Sequence, residues 1–258
     1  MARIVLAHGI LGFGSVLPLQ PLNYFNGVRD LYVSMGHDVI CPTVAALGSI
    51  AARSAELQRQ VLARWADDGV PIHLLAHSMG GLDCRHMLQG NAALARRVRR
   101  LITIATPHFG SPVADAVLHP VFPGLPLLAP ALSGLFANDA GALLDLQTRL
   151  TLQDAAVQGV DYLCVGCDAA TTHPKSLVFT LTAALGGFAS QPNDGVVGLA
   201  SASSSNATAT LFQTWPVDHG GAIGWPSGGL VNQAGLAAIQ PPADHLARYT
   251  QLLDALLA

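Results

Sequence analysis

The sequence predicts an α/β fold in which a mostly parallel central sheet is covered by helices on both faces, all within a single domain of 258 residues. Three observations carry this expectation. Short continuous apolar runs alternate with amphipathic segments, as expected of strands buried on both faces. Hydrophobic residues make up 51% of the chain and charged residues only 11%, against about a quarter charged in an average domain, so little of the chain suits a solvated surface. Loops rich in glycine or proline follow the apolar runs, the first being His8-Gly9-Ile10-Leu11-Gly12-Phe13-Gly14. At such strand ends, backbone amides can approach a ligand closely.

Taken in order, Arg3 to Ala7 reads as the first strand. A helix opening at Asn23 follows, with Tyr24, Phe25, Val28, Leu31, Tyr32 and Met35 on its apolar face and Gly36 as its stop. Asp38 to Cys41 is a second strand, ended by Pro42. Ser54 to Asp68 is an amphipathic helix with Leu57, Val61, Leu62 and Trp65 at helical spacing. The run from Pro71 to Ser78 is a buried strand that passes straight into a helix ending near Gly90, and Leu101 to Ala105 is another buried strand. From Val113 to about Gly159 the alternation stops: an apolar stretch broken by Pro120, Pro123, Pro126 and Pro130 leads into a helix-like run from Ala142 to Leu152. This segment, residues 113–159, has the composition of a cap or lid over a site, though core helices with ordinary loops would read similarly. Tyr162 to Cys167 returns to strand character, Gln191 to Val197 is a turn with an acid at its apex, and Ser201 to Asn206 is a polar loop. Thr208 to Thr214 is a last strand, and Ala243 to Leu257 a closing helix.

The formal net charge of −3 gives no electrostatic basis for binding nucleic acid or an anionic membrane. The basic cluster Arg96, Arg97, Arg99 and Arg100 reads as a solvated helix terminus. No apolar segment is long and unbroken enough to be a transmembrane span. With the first strand starting beside Met1, the chain as written reads as cytoplasmic; a secreted mature form whose leader has been removed is the alternative. Cys41 and Cys84 look like core residues, and Cys164 and Cys167 like reduced thiols in a strand. No cofactor and no metal is expected.

The chemistry gathers at Ala76-His77-Ser78-Met79-Gly80. A small-x-Ser-x-Gly pattern between a buried strand and a helix is the context of a nucleophile elbow, a turn so sharp that its neighbours two before and two after must be small. Ser78 is the candidate nucleophile, set against the plainer reading of a serine capping a helix. A serine hydroxyl at neutral pH needs a general base, and the base needs an orienting carboxylate; elbow hydrolases supply them in the order serine, acid, histidine. Of ten histidines, only His219 and His245 follow Asp194, the best acid candidate, which lies at the apex of a turn. Asp194 with His219 is the favoured pair, because His219 sits on a glycine-rich loop after the last strand. Asp218 with His245, inside the closing helix, is the rival. The oxyanion of a tetrahedral intermediate needs two fixed backbone donors, assigned to the N–H groups of Met79 and Ile10.

His8-Gly9-Ile10-Leu11-Gly12, Ala76-His77-Ser78-Met79-Gly80-Gly81, Thr106-Pro107-His108-Phe109-Gly110-Ser111, Asn193-Asp194-Gly195-Val196-Val197 and Asp218-His219 occur in this order. Together they resemble the bacterial triacylglycerol lipases and esterases of the α/β-hydrolase superfamily, as a variant with alanine in the first elbow position. The resemblance implies an α/β-hydrolase fold and hydrolysis of esters through an acyl-serine, with Ser78, Asp194 and His219 on the triad positions and Ile10 and Met79 on the oxyanion positions. Calcium is not carried over, because the positions after His219 read Gly220-Gly221-Ala222-Ile223-Gly224-Trp225 without an oxygen-bearing side chain. The expected substrate is an apolar ester or lipid, with the cap making transient contact with a lipid interface. The alternatives are a short-chain carboxylesterase, a polyester depolymerase or an acyltransferase on the same triad, and a non-catalytic binding protein on a hydrolase scaffold.

Overall fold

The structure, a computed structural model, describes residues 1–10, 24–119, 139–148, 155–169, 175–188, 191–203, 209–225 and 245–258. Six strands form one sheet: β1 (Arg3–Ala7), β2 (Asp38–Ile40), β3 (Ile72–His77), β4 (Val98–Ile104), β5 (Asp161–Cys167) and β6 (Ala209–Trp215). Their order is β2-β1-β3-β4-β5-β6, and every pairing is parallel. The described helices are α1 (Val28–Ser34), α2 (Ile50–Arg64), α3 (Met79–Gly90), α4 (Ala92–Ala95), α5 (Pro112–Leu118), α6 (Gly141–Asp145), α7 (Leu177–Leu185), α8 (Leu199–Ser203) and α9 (His245–Leu257). Among the described residues, no helix is long and apolar enough to cross a membrane.

The apolar runs are continuous because side chains alternate between two cores. Ile4, Leu6, Leu75, Ile102 and Ile104 point to one face and pack against Val28 and Tyr32 of α1 and Tyr249, Leu252 and Leu256 of α9. Val5, Ala7, Leu74, Ala76 and Leu101 point to the other and meet Leu57 and Val61 of α2 and Cys84, Met87 and Leu88 of α3. A third apolar cluster lies beyond the carboxyl ends of the strands, where Ile50, Met79 and Leu82 pack with Val113 and Val117 of α5, Ala142 and Leu143 of α6, and Leu185 and Phe188.

Several local expectations need correction. The first helix begins at Val28, not Asn23, because Gly27 precedes it with φ of 79°; Asn23 lies outside the described residues. The helix ends at Ser34, which leaves Met35 exposed rather than on a packed face. The helix expected over Ser54 to Asp68 runs instead from Ile50 to Arg64, capped by Ser49, which accepts from the Ala52 amide at 3.3 Å. Ser54 lies inside the helix and donates to the Asp83 carbonyl of α3 at 2.9 Å. Leu62 faces solvent, and Cys41 is exposed rather than core. The arginine cluster is not simply solvated: Arg97 donates to the carbonyls of Trp65 and Ala66 at 3.0 and 2.7 Å, capping the end of α2. Arg100 pairs with Asp161 at 3.1 Å. The helix expected from Ala142 to Leu152 is described only to residue 148 and ends at Asp145, while the cap prolines and Asn206 lie outside the described residues.

Strand order positions the site. The chain leaves β1 toward β2 on one side, then returns through α2 to place β3 on the other side of β1, with Ala7 level with Ala76. The loops after β1 and β3 therefore face each other at a topological switch point, where open parallel sheets form a crevice. The central strands should dominate stability. Leu75→Ala, wholly buried in β3, is expected to lower unfolding free energy by about 2–5 kcal/mol. Leu211→Ala, on the exposed edge strand β6, should change it by no more than about 0.5 kcal/mol. Chemical denaturation of the two variants checks the contrast.

Candidate active site

Ser78 occupies the one-residue step between β3 and α3 with φ 57° and ψ −135°, a conformation that costs a non-glycine residue about 1–3 kcal/mol. Its amide donates to the Ile104 carbonyl at 2.8 Å, while its carbonyl accepts from the Gly81 amide at 3.0 Å and the Thr106 hydroxyl at 2.8 Å. Its side chain makes no helix-capping bond, so the plainer reading of Ser78 as a cap does not describe it. A Cβ on Gly80 would come within 2.5 Å of the Ala7 carbonyl oxygen, and one on Gly9 within 2.6 Å of the Ser78 Cβ. Both glycines are needed because the β1 loop is pressed directly against the elbow. The Ala76 methyl, by contrast, is accommodated in the core cluster with Val5, Val61 and Cys84.

The structure brings three of the expected side chains into one chain of hydrogen bonds. His219 Nδ1 lies 2.7 Å from Asp194 Oδ2, and His219 Nε2 lies 3.0 Å from Ser78 Oγ. A carboxylate only accepts, so Nδ1 carries the proton and Nε2 is left to accept from the serine hydroxyl. Asp194 is fully buried, and its other oxygen accepts from the Val196 and Val197 amides at 2.9 and 2.7 Å. The His219 amide donates to the Asp194 carbonyl at 2.9 Å, tying the two loops together through backbone as well as side chains. Phe179 of α7 packs over both, with its ring 6.0 Å from that of His219. A Cβ on Gly195 would come within 2.5 Å of the Phe179 Cβ.

The rival pair is not assembled. Asp218 is buried, accepting from the Ser176 amide at 2.8 Å and the Gly221 amide at 2.7 Å. It thereby ties the start of α7 to the His219 loop. His245 Nε2 donates to the Asn26 carbonyl at 2.9 Å from its place on α9.

Of the oxyanion candidates, Met79 is the first residue of α3, so its amide has no acceptor within the helix. Ile10 is half-buried at the start of the loop after β1 and packs on the third cluster. Three residues that the motifs do not assign surround these loops. Tyr24 Oη accepts from the Gly9 amide at 2.9 Å and donates to His77 Nδ1 at 2.7 Å. The His77 ring lies 4.6 Å from that of His219. Arg53, wholly buried on α2, donates through Nη2 to the His8 and Gly9 carbonyls at 2.8 and 3.2 Å, and its partner is Asp83 at 2.8 Å. Arg53 lies one residue before the helix expected from the sequence, and nothing in the sequence marks it as buried.

Burial keeps the neighbouring histidines neutral. It pushes the pKa of His77 well below the usual imidazole value, aided by His219, and that of His8 down to about 4. His108, behind the elbow with Nε2 3.2 Å from Thr103 Oγ1, is pushed down to about 3. Since these groups resist protonation only when folded, the unfolded chain binds more protons below about pH 6.5. Burial raises Asp83 to about 6 despite Arg53 and raises Asp218 as well, two opposing contributions against five histidines, since His37 and His73 are also lowered. Stability should therefore fall as pH drops from about 6.5 toward 4. Thermal unfolding followed across that interval, with His108→Asn giving a shallower decline, checks the sign.

Residues 61–125, from the last turn of α2 through the elbow and β4 to beyond α5, match the PGAP1-like alpha/beta domain family. The chain is 38% identical over 105 residues to triacylglycerol lipase 2 of Saccharomyces cerevisiae, a match covering 39% of this chain and 32% of that protein's length. Among solved structures, Staphylococcus hyicus lipase superposes with a TM-score of 0.73 at 16% identity, covering 99% of this chain and 95% of its own. The metagenomic carboxyl esterase MGS0156 gives 0.71 at 20% identity, covering 97% and 74%. The mature form of Bacillus licheniformis lipase BlEst2 gives 0.64 at 21% identity, covering 93% and 92%. Strand order, elbow and structural neighbours agree: this chain has the α/β-hydrolase fold.

Proposed function

We propose that the protein is a carboxylic ester hydrolase acting on apolar acyl esters through an acyl-serine intermediate. The observation that carries this reading is the continuous hydrogen-bonded chain from Ser78 Oγ through His219 to the buried Asp194 carboxylate. In the first half-reaction His219 Nε2 takes the hydroxyl proton as Ser78 Oγ bonds to the ester carbonyl carbon. Asp194, fixed by two backbone amides, holds the ring in the right tautomer and balances the imidazolium that forms. The oxyanion is held by the N–H groups of Met79 and Ile10; losing one such donor costs about 3–4 kcal/mol of barrier. His219 then returns the proton to the departing alcohol oxygen as the acyl-enzyme forms. Water, activated by the same nitrogen, releases the acid and restores Ser78.

The acyl end of the substrate is read from the third apolar cluster, which borders the elbow through Met79 and Leu82 and is built largely from α5 and α6 of residues 113–159. We assign that segment as a cap over the site. The yeast triacylglycerol lipase and the structural neighbours, a metagenomic carboxyl esterase and a staphylococcal lipase, favour the same substrate class.

Ser78→Ala and His219→Ala are each expected to lower kcat on nitrophenyl esters by about four to six orders of magnitude, and Asp194→Asn by about four. His245→Ala, away from the site, should leave kcat within about threefold once the variant is folded. A fluorophosphonate probe should label wild-type Ser78 and not the alanine variant. Across acetate, butyrate, octanoate and decanoate esters, turnover should rise toward the long chains and extend to emulsified triglyceride. A maximum at acetate or butyrate, with none on the emulsion, would assign a short-chain esterase instead.

A further inference from the structure

The loop after β1 owes its shape to a side chain far from it in sequence. Arg53 carries one of three buried guanidinium groups among the described residues, and its donors converge on backbone. Nη1 donates to the Ala45 carbonyl at 2.7 Å, and Nη2 donates to the His8 and Gly9 carbonyls at 2.8 and 3.2 Å. Nε donates to Asp83 Oδ2 on α3 at 2.9 Å. Asp83 therefore anchors the guanidinium to the helix that starts at the nucleophile, and the guanidinium anchors the loop.

Peptide geometry turns these contacts into control of a donor. A trans peptide is planar, with its C=O and N–H pointing in opposite directions, and the described residues contain no cis bonds. The His8–Gly9 peptide is held at both ends, its carbonyl by Arg53 and its N–H by Tyr24 Oη at 2.9 Å. The Gly9–Ile10 peptide is held at its carbonyl alone, by Arg53 and by His8 Nδ1–H at 2.8 Å. Its other end is the Ile10 N–H, which planarity turns away from the guanidinium. His8 can donate from Nδ1 because its Nε2 accepts from the Val44 amide at 3.1 Å.

We propose that Arg53, braced by Asp83, is the positioning residue of the oxyanion loop, fixing two successive peptide planes so that the Ile10 N–H is already aimed before substrate arrives. Arg53 touches neither substrate nor reacting atoms; it acts through the loop backbone. Preorganised donors stabilise an oxyanion because they need no reorientation during the reaction. The inference rests on the ester-hydrolase reading, with Ile10 as a donor.

The test is Arg53→Lys, which keeps a cation beside Asp83 but replaces a planar fork with a single ammonium unable to span three carbonyls and a carboxylate. On a soluble nitrophenyl ester, kcat should fall by about 10–100-fold with KM within about threefold, since the interaction lost is one made in the transition state. Affinity for a trifluoromethyl ketone, whose Ser78 adduct carries the oxyanion, should fall by the same factor as kcat/KM. Arg53→Met with Asp83→Asn, an uncharged pair, should reproduce the loss if the lysine variant fails to fold. Tyr24→Phe, which frees the Gly9 amide and His77 Nδ1 but leaves both loop carbonyls held by Arg53, should give a smaller fall in the same direction. A folded Arg53 variant with kcat and ketone affinity within about twofold of wild type would overturn the proposal. Ser78→Ala assayed alongside separates the two readings: full turnover without the Ser78 hydroxyl would remove the hydrolase reading itself, whatever Arg53 does.

Discussion

The left-handed backbone at Ser78 is the constraint on which the site depends. A residue with φ of 57° between a strand and a helix is strained, and the surrounding structure has to impose it. Ile104 of β4 holds the amide, while Gly81 and the Thr106 hydroxyl hold the carbonyl. Because the turn is so tight, α3 sets off directly over β1, and a side chain at Gly80 would collide with the carbonyls of Ala7 and His8. The gain from this strain is directional. The serine hydroxyl is lifted off the end of the sheet, free of capping duty, toward a histidine that arrives from a loop 141 residues later.

Around that point the protein manages charge by burial. His8, His77 and His108 all lie close behind or beside the elbow, and all are kept neutral by desolvation. A neutral His77 matters most, since its ring stacks 4.6 Å from His219. A second imidazolium there would oppose the positive charge that the proposed role of His219 as general base requires. The one fully buried ion pair in this neighbourhood, Arg53 with Asp83, serves the backbone of the β1 loop. Removing either partner alone would strand the other charge in the interior, at a typical cost of about 3–5 kcal/mol.

The loops that carry Ser78, Asp194 and His219 are braced by their neighbours. Ser111 donates to the Val196 carbonyl at 2.5 Å, bracing the acid turn from the loop after β4. Asp218 ties the start of α7 to the histidine loop, and Phe179 of α7 packs against both Gly195 and Gly220. Movement of α7 would thus be felt at the acid and the base together. Such coupling explains why glycine stands at both positions: their neighbours approach more closely than a Cβ allows.

What the sequence determined by itself was whatever depends on local pattern. Continuous apolar runs specified doubly covered parallel strands, and the small residues around Ser78 specified the elbow. Loop position and chain order singled out Asp194 and His219, which the fold brings within hydrogen-bond reach. Helix ends were read less well. The helix expected from Ser54 begins at Ile50, with Ser49 as its cap, and the Ser54 hydroxyl is used against α3. Only the tertiary structure could decide the supporting contacts. Arg53, Tyr24 and His77 lie on three different elements, and nothing in their spacing announces a common task. They meet because parallel strand order folds α2 and the end of β1 against the elbow, and because a buried donor must find an acceptor once water is excluded. The elbow could be recognised from five residues; what holds the loop opposite it in register is a property of the packed interior.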